Sequence, residues 1–347
     1  DRVSGAFYGL VAAHTNDVLK AVQAEIAPKL SAHDDAIQMN PMLYARIKTL
    51  FDSRATLGLS PVAVRLIERY HTDFVRAGAA LDDAAKEKAK AINEQLSTLT
   101  TRFQQNLMAD ANELAVVVDT REELDGLSDD AIAAAEDAAK ARNLAGKFVI
   151  TLVSPTPQPA LASLHDRTLR ERLFKAAVSK GRRANEWNNT DLIKKLVALR
   201  AERAALLGYS SHAAYVLEDT TAKTPEAVHE MLGRVAPAAA RNARTEAADM
   251  QKIIDAEGGG FQLEAWDWAF YAEKVRKERY DFDASQMRPY LVLENVLKDG
   301  LFFMAKRLYG LDFIERKDLP LYHPDVRVFE VKNDAGAGIG LFVWDPY

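Results

Sequence analysis

Apolar positions in the first third of the chain recur at helical spacing. Ile92, Leu96, Leu99, Phe103 and Leu107 follow one another at intervals of four, three, four and four, which draws one apolar stripe along a long helix whose other faces carry Lys, Glu, Asn and Gln. A stripe of that kind needs partners, and the upstream chain offers two. Leu43, Ile47 and Leu50 mark one helix; Ser60-Pro61 followed by Val64, Leu66, Ile67 and Tyr70 marks another, with Ser as N-cap and Pro as first helical residue. The period then changes. "LAVVV" (Leu114 to Val118) and "KFVITLV" (Lys147 to Val153) are β-branched runs on either side of an Ala-rich helix from about Ser128 to Ala141, and they predict a small sheet. "SPTPQPA" (Ser154 to Ala160) reads as an extended, proline-rich connector.

Helical spacing resumes beyond it. Leu192, Leu196 and Leu199 through Leu206 form a stripe that Gly208 closes as C-cap. Thr224-Pro225 opens a helix that runs to Ile254, where "EGGG" (Glu257 to Gly260) breaks it. "LEAWDWAFYAEKVRKERYDFD" predicts an aromatic helix, and "YLVLENVLKDGLFFMAKRLYG" a further helix closed by Gly310. At the end, Val326 to Val331 and Ile339 to Trp344 are two strands around the Asn333 to Gly338 turn. The chain thus reads as mostly α, one continuous unit with small β elements near 114–153 and 326–345. Its parts are a helical bundle (1–113), a small sheet with helix and connector (114–160), a helical stretch (161–318) and the start of a sheet (319–347). A terminus as apolar as Leu341 to Trp344 and Tyr347 suggests a hairpin whose neighbour is missing, so the chain is expected to be a fragment.

Composition narrows the classes of function. With 347 residues, 48% hydrophobic and 27% charged, the chain can bury a sizeable core as a soluble globular protein. A net charge of -5 with interspersed signs argues against a nucleic-acid partner. The basic runs "KGRR" (Lys180 to Arg183) and "KVRKER" (Lys274 to Arg279) read as solvated helix faces. The absence of cysteine excludes disulfides, thiolate metal sites and cysteine nucleophiles. No stretch approaches the ~18 apolar residues of a membrane span, and "DRVSGAFYGL" is not a signal peptide. No membrane partner is expected; the cytoplasm is the default compartment, with the periplasm as alternative.

The residues themselves offer little catalytic chemistry. The seven histidines, His14, His33, His71, His165, His212, His229 and His323, show no ligand spacing. "HEMLG" (His229 to Gly233) has the His and Glu of a zinc helix but Gly233 where the second His belongs. There is no G-x-S-x-G elbow, and Ser211-His212 reads as a helix start. "GAGIG" (Gly336 to Gly340) precedes a strand and so reads as a hairpin turn, not a phosphate cradle. Asp34-Asp35, Asp82-Asp83 and Asp129-Asp130 are read as acids at helix starts. Trp266, Trp268, Phe270 and Tyr271 are read mainly as core.

Five ordered blocks carry a resemblance: "PTPQPAL" (Pro155 to Leu161), "LVALRAERAALLGY" (Leu196 to Tyr209), "WDWAFYAEKVRKERYDFD" (Trp266 to Asp283), "RPYLVLENVLKDGLF" (Arg288 to Phe302) and "YHPDVRVFEV" (Tyr322 to Val331). They resemble the M3, thimet oligopeptidase-like zinc metallopeptidases, and "WDWAFYAE" is most similar to the peptidyl-dipeptidase (dipeptidyl carboxypeptidase) branch. The resemblance implies one half of a two-lobed helical enzyme around a deep channel, in which a zinc ion on an H-E-x-x-H helix activates water. That helix would follow the strand begun by "GLFVWDPY". The chain is therefore expected to form one wall of the substrate channel and to be inactive alone. Its parent would release C-terminal dipeptides from short peptides. No catalytic or metal-binding residue is expected within the chain; zinc would belong to the parent, and the partners would be short peptides and the missing C-terminal catalytic portion. Phe342, Asp345 and Tyr347 are the residues the resemblance places nearest the channel, with Val343 where the family strand usually has Tyr. The alternatives are an oligopeptidase A-like endopeptidase fragment and a non-catalytic helical module that binds a peptide or partner.

Overall fold

The computed structural model describes residues 2–152, 157–281 and 284–346. They form a mostly α fold with two small antiparallel sheets. The chain divides into two compact units, one of Ala21–Val275 and one of Asp1–Lys20 with Arg276–Tyr347.

The larger unit is organised around α5 (Asp83–Glu113). Asp82 caps it by accepting a hydrogen bond from the Ala85 N–H at 2.8 Å, and Asp83 adds a favourable charge to its first turn. Its stripe is buried as predicted at Ile92 and Leu96, and Leu99 and Phe103 pack beside them. The partner, however, is Leu196 of α9 (Thr190–Leu206), a hundred residues downstream. The upstream helices do form. α3 (Pro41–Ser53) is capped by Asn40, and α4 (Pro61–Ala77) is capped by Ser60 and closed by Gly78 at φ +106°. α3 packs against α4 and leaves Leu43 and Leu50 exposed.

A second core surrounds the first sheet. β1 (Val116–Val118) pairs antiparallel with β2 (Phe148–Ile150), Val117 facing Val149, and α6 (Asp129–Lys140) packs on them. Val118, Leu124, Leu152, Leu164, Leu169 and Leu173 are almost wholly buried here, the last two on α8 (Arg167–Ser179). The predicted connector is shorter than the sequence suggests. α7 takes Pro157–Ser163, and prolines in a first helical turn forfeit no N–H that the helix would have bonded. Residues 153–156 lie outside the described residues.

Two further expectations are corrected. Asp34 and Asp35 do not start a helix; they lie near the end of α2 (Asp17–Gln38), where Asp35 is buried and accepts a hydrogen bond from Asn93 of α5 at 2.9 Å. The "KGRR" run is not a helix face either. It follows α8 as a loop, with Gly181 at φ +70°, and Arg183 turns inward to the fully buried Asp110. The larger unit closes with α10 (His212–Leu217), α11 (Pro225–Ala256) and most of α12 (Trp268–Tyr280). Phe270 and Tyr271 are buried with Met250 and Ile254, in agreement with the core reading of the aromatic block.

The smaller unit contains α1 (Arg2–Ala13) and a helical run in place of the single predicted helix. α13 (Leu293–Asn295) passes through a π-helical stretch, Val296–Phe302, into α14 (Phe303–Tyr309), which ends at Gly310 with φ +68°. A three-stranded antiparallel sheet follows, ordered β3 (Asp312–Glu315), β4 (Arg327–Lys332), β5 (Gly338–Trp344). The hairpin was predicted; β3 was not.

Candidate functional site

The terminal hairpin is set by its turn. Asn333 Oδ1 accepts hydrogen bonds from the Ala335 and Ala337 N–H groups at 3.1 and 3.0 Å, and Gly336 supplies the left-handed residue at φ +76°. "GAGIG" is thus a hairpin turn running into a strand, as its sequence context implied. Register places Phe329 opposite both Glu315 and Phe342, and Glu330 opposite both Ile314 and Leu341. Side chains alternate faces along each strand, so the sheet has two chemically different sides.

One side is aromatic. Phe302, from the π-helical stretch, stacks on Phe313 with centroids 4.2 Å apart and meets Phe329 edge-on at 4.9 Å; Phe342 completes the group at 5.9–6.2 Å from its neighbours. Arg327 lies at the edge of this group, 5.0 Å from the Phe329 ring and 5.3 Å from the Trp344 ring. It donates to Glu315 at 2.7 and 3.0 Å and to Glu294 at 2.7 Å. Those hydrogen bonds, Glu315 first, raise the Arg327 pKa and lower that of Glu315. The result is a rigid, fully charged clamp. A second clamp holds the β3–β4 connection, where Arg316 donates to Asp318 at 2.8 and 2.7 Å and to Glu330 at 3.1 Å. It holds the Asp318 carboxyl down at about 2.

The other side carries Glu330 of the second clamp and the buried Val328, and its apolar surface is open along the outer strands. Ile339, Leu341 and Val343 on β5 are 58%, 57% and 48% exposed, and Ile314 is exposed on β3, across Glu330 of the central strand. Among the described residues β5 pairs only with β4, which leaves one row of its backbone N–H and C=O groups unpaired. Such an edge is a template for another extended chain.

The residues singled out in the sequence fall in different places around this sheet. Phe342 is half-buried inside the aromatic group. Asp345 is exposed just past β5 and accepts a 2.7 Å hydrogen bond from the Tyr322 hydroxyl, which raises the tyrosine's pKa. Tyr347 lies outside the described residues. The sequence reading missed Phe302, Phe313, Glu294 and the Arg327 clamp. Asp312–Glu315, which reads Asp-Phe-Ile-Glu, is too short and does not alternate, so it gave no clear signal for β3.

Metal ligation was tested on geometry. His229 and Glu230 of the incomplete "HEMLG" motif are exposed on α11. His14 and His323, distant in sequence, bring their ring centroids to 5.3 Å. Yet among the described residues no group of three or more His, Asp or Glu could hold a metal ion. No described helix is long and apolar enough to cross a membrane.

Comparison with known proteins assigns the family. The dipeptidyl carboxypeptidase of Escherichia coli (strain K12) is 41% identical over 344 residues, covering 99% of this chain and 50% of that protein. The dipeptidyl carboxypeptidase of Salmonella typhimurium is 38% identical over 344 residues, covering 99% of this chain and 51% of that protein. The oligopeptidase A of Escherichia coli (strain K12) is 30% identical over 356 residues, covering 100% of this chain and 52% of that protein. The chain spans about half the length of these curated relatives. Residues 160–347, which include both the aromatic block and the three-stranded sheet, match the model of Peptidase family M3. With more than half its length matched to that model and nearly all of it aligned to dipeptidyl carboxypeptidases, the chain belongs to peptidase family M3.

Proposed function

We propose that this chain is the substrate-holding portion of a zinc-dependent peptidase that removes dipeptides from the C-termini of short peptides. The observation that carries its part in that activity is the unpaired edge of β5, flanked by the exposed Ile339, Leu341 and Val343 and stiffened from behind by the Phe302–Phe313–Phe329–Phe342 group. An extended peptide laid along that edge gains backbone hydrogen bonds whatever its sequence, and its alternate side chains meet apolar surface. Short, unfolded substrates suit such an edge because a folded protein has no free strand to offer. Asp345, held by Tyr322, stands where a peptide leaving the strand would meet a fixed negative charge.

Residues beyond this chain supply the zinc ligands and the catalytic base in this proposal, and the same portion covers the apolar side of the sheet. The half-length coverage of the relatives supports this division. The dipeptide-releasing activity follows the 41% identity to a dipeptidyl carboxypeptidase, above the 30% to an oligopeptidase A.

The test is a mass-spectrometric assay of a hexapeptide incubated with the 347-residue chain, and separately with the full-length gene product, both with added zinc. The full-length protein is expected to release dipeptides stepwise from the C-terminus, and the chain alone to release none. Internal cleavage of an N-acetylated, C-amidated peptide by the full-length protein would favour the oligopeptidase A-like alternative. No cleavage under any condition, with retained peptide binding, would favour a non-catalytic module. Turnover by the 347-residue chain alone would overturn the division of labour.

A further inference from the structure

The larger unit carries a cavity of about 310 Å³ whose chemistry the peptidase proposal does not use. Its floor is built on Asp267, which is fully buried. Arg167 donates to it from Nε at 3.1 Å and from Nη2 at 2.9 Å, and Arg170 adds a bond from Nη2 at 3.0 Å. Two guanidinium groups thus share one carboxylate. Arg170 is itself 2% exposed and also donates to the Leu164 and His165 carbonyls. It is locked in place, and its Nε–H has no partner.

The walls are aromatic. The Arg167 guanidinium lies 4.1 Å from the Phe261 ring centroid, and Lys274 Nζ lies 4.6 Å from that of Phe270 and 5.0 Å from that of Tyr271. Lys274 is closed off by Glu257, whose two carboxylate oxygens accept from Nζ at 2.6 and 2.8 Å. Arg167, Arg170 and Lys274 pair with Asp267 and Glu257, and Glu171 and Glu264 add their charge near Arg167, so the cation available to a ligand is Lys274 once Glu257 moves aside.

Glu257 is the weakest-held member. It is the C-cap of α11, where the helix's carbonyl end disfavours a carboxylate. Its side chain is 43% exposed, and that of Lys274 is 33% exposed. A pair this wet contributes little to stability, and its geometry is that of a carboxylate ligand seated on Lys274 above aromatic rings. The glycines Gly258 (φ +72°) and Gly260 (φ +65°) follow it and place no side chain beside it.

We propose that this cavity binds a small organic carboxylate with a flat, apolar body, its carboxylate held by Lys274 and Arg167 and its body lying against Phe261 and the narrow exposed edges of Phe270 and Tyr271. Glu257 occupies the anion position on Lys274 and is displaced by the ligand. The volume lies at the small end of the range for ligand sites, which suits an aromatic acid of a single ring.

Isothermal titration of the 347-residue chain with benzoate tests this, with acetate and inorganic phosphate as comparison probes. Glu257→Gln is expected to tighten benzoate binding by about two- to fivefold, the weight of a partly exposed ion pair. Lys274→Met, which keeps the apolar stem over the rings, is expected to weaken it by about tenfold or more, the loss of a charge-assisted hydrogen bond. Lys274→Gln gives the same readout should the Met variant fail to fold. Acetate is expected to bind more weakly than benzoate. Absence of saturable benzoate binding in both the parent and Glu257→Gln would overturn the site. Unchanged affinity in a folded Lys274 variant would overturn the assigned cation, and phosphate binding as tightly as benzoate would overturn the ligand class.

Discussion

Asp110 shows how one side chain can tie a loop to a helix. Fully buried on α5, it accepts hydrogen bonds from the Gly181 N–H at 2.6 Å and from Arg183 Nε and Asn185 Nδ2, each at 2.9 Å. Burial raises its pKa, but the bonds from Arg183, Asn185 and Gly181 outweigh that and leave it below the ordinary value. A carboxyl depressed in the folded state stabilises above its ordinary pKa and loses that contribution as the pH falls through the folded value. Asp110→Ala strands a cation and an N–H, so a loss of about 3–5 kcal/mol is expected by urea denaturation at pH 7. Asp35 has the opposite sign. Burial pushes its carboxyl up, against the weaker pull of the Asn93 hydrogen bond, and its Oδ2 has no partner. The folded state therefore takes up the proton before the unfolded chain does, and the charged form costs stability above the folded pKa. Asp35→Asn is expected to raise the melting temperature at pH 7.5, with the gain fading as the pH falls through the ordinary carboxylate range. Gly126 is constrained sterically: at φ +95°, an added Cβ would run into the Ser163 carbonyl oxygen. Gly126→Ala is expected to cost more than the about 1–3 kcal/mol of left-handed strain alone, measured by the same denaturation.

At the scale of elements, capping chemistry was the most legible signal. Asp82, Ser60, Ser128, Ser211 and Thr224 each accept a hydrogen bond from a first-turn N–H of the helix that the sequence reading started there. Asp82→Ala is expected to cost about 1 kcal/mol, which thermal unfolding would register. Partner choice was not legible in the same way. The α5 stripe states that one face must be buried, but Leu196 of α9 meets that need as well as any upstream leucine. In the sheet, Phe329 is 2% exposed and is flanked by both neighbouring strands. Phe329→Ala is expected to cost about 3–5 kcal/mol and to release the hairpin, seen as faster hydrogen exchange across β4 and β5 than elsewhere in the chain.

For the molecule as a whole, the informative feature is apolar side chains that no described partner covers. In the smaller unit these are Ile314, Ile339, Leu341 and Val343 of the sheet and Leu301, Phe303, Met304 and Leu308 of the helical run. Surfaces of this kind mark places where another chain or segment sits. The 347-residue chain is expected to self-associate with rising concentration in sedimentation velocity. The paired substitution Leu341→Lys and Val343→Lys is expected to suppress that association without lowering the melting temperature, since the two residues are 57% and 48% exposed.

The sequence by itself determined the elements and the family. Helical and strand periods, caps and turn residues act through neighbours a few positions apart, so α4, α5, α11 and the terminal hairpin could be read directly, and ordered blocks of residues carried the resemblance to M3 peptidases. Expectations failed where a distant residue decided the outcome. Asp35, near the end of α2, is buried where Asn93 of α5 donates to it, and Arg183 leaves the surface because Asp110 awaits it. β3 escaped notice because four residues carry too little period to stand apart from a loop. Only the tertiary structure decided that α9 covers α5, that Phe302 braces the sheet whose outer edge stays open, and that Glu257 closes Lys274 within an aromatic cavity. Each depends on contacts between segments far apart in the chain, and their pairing is chosen by packing and charge in three dimensions.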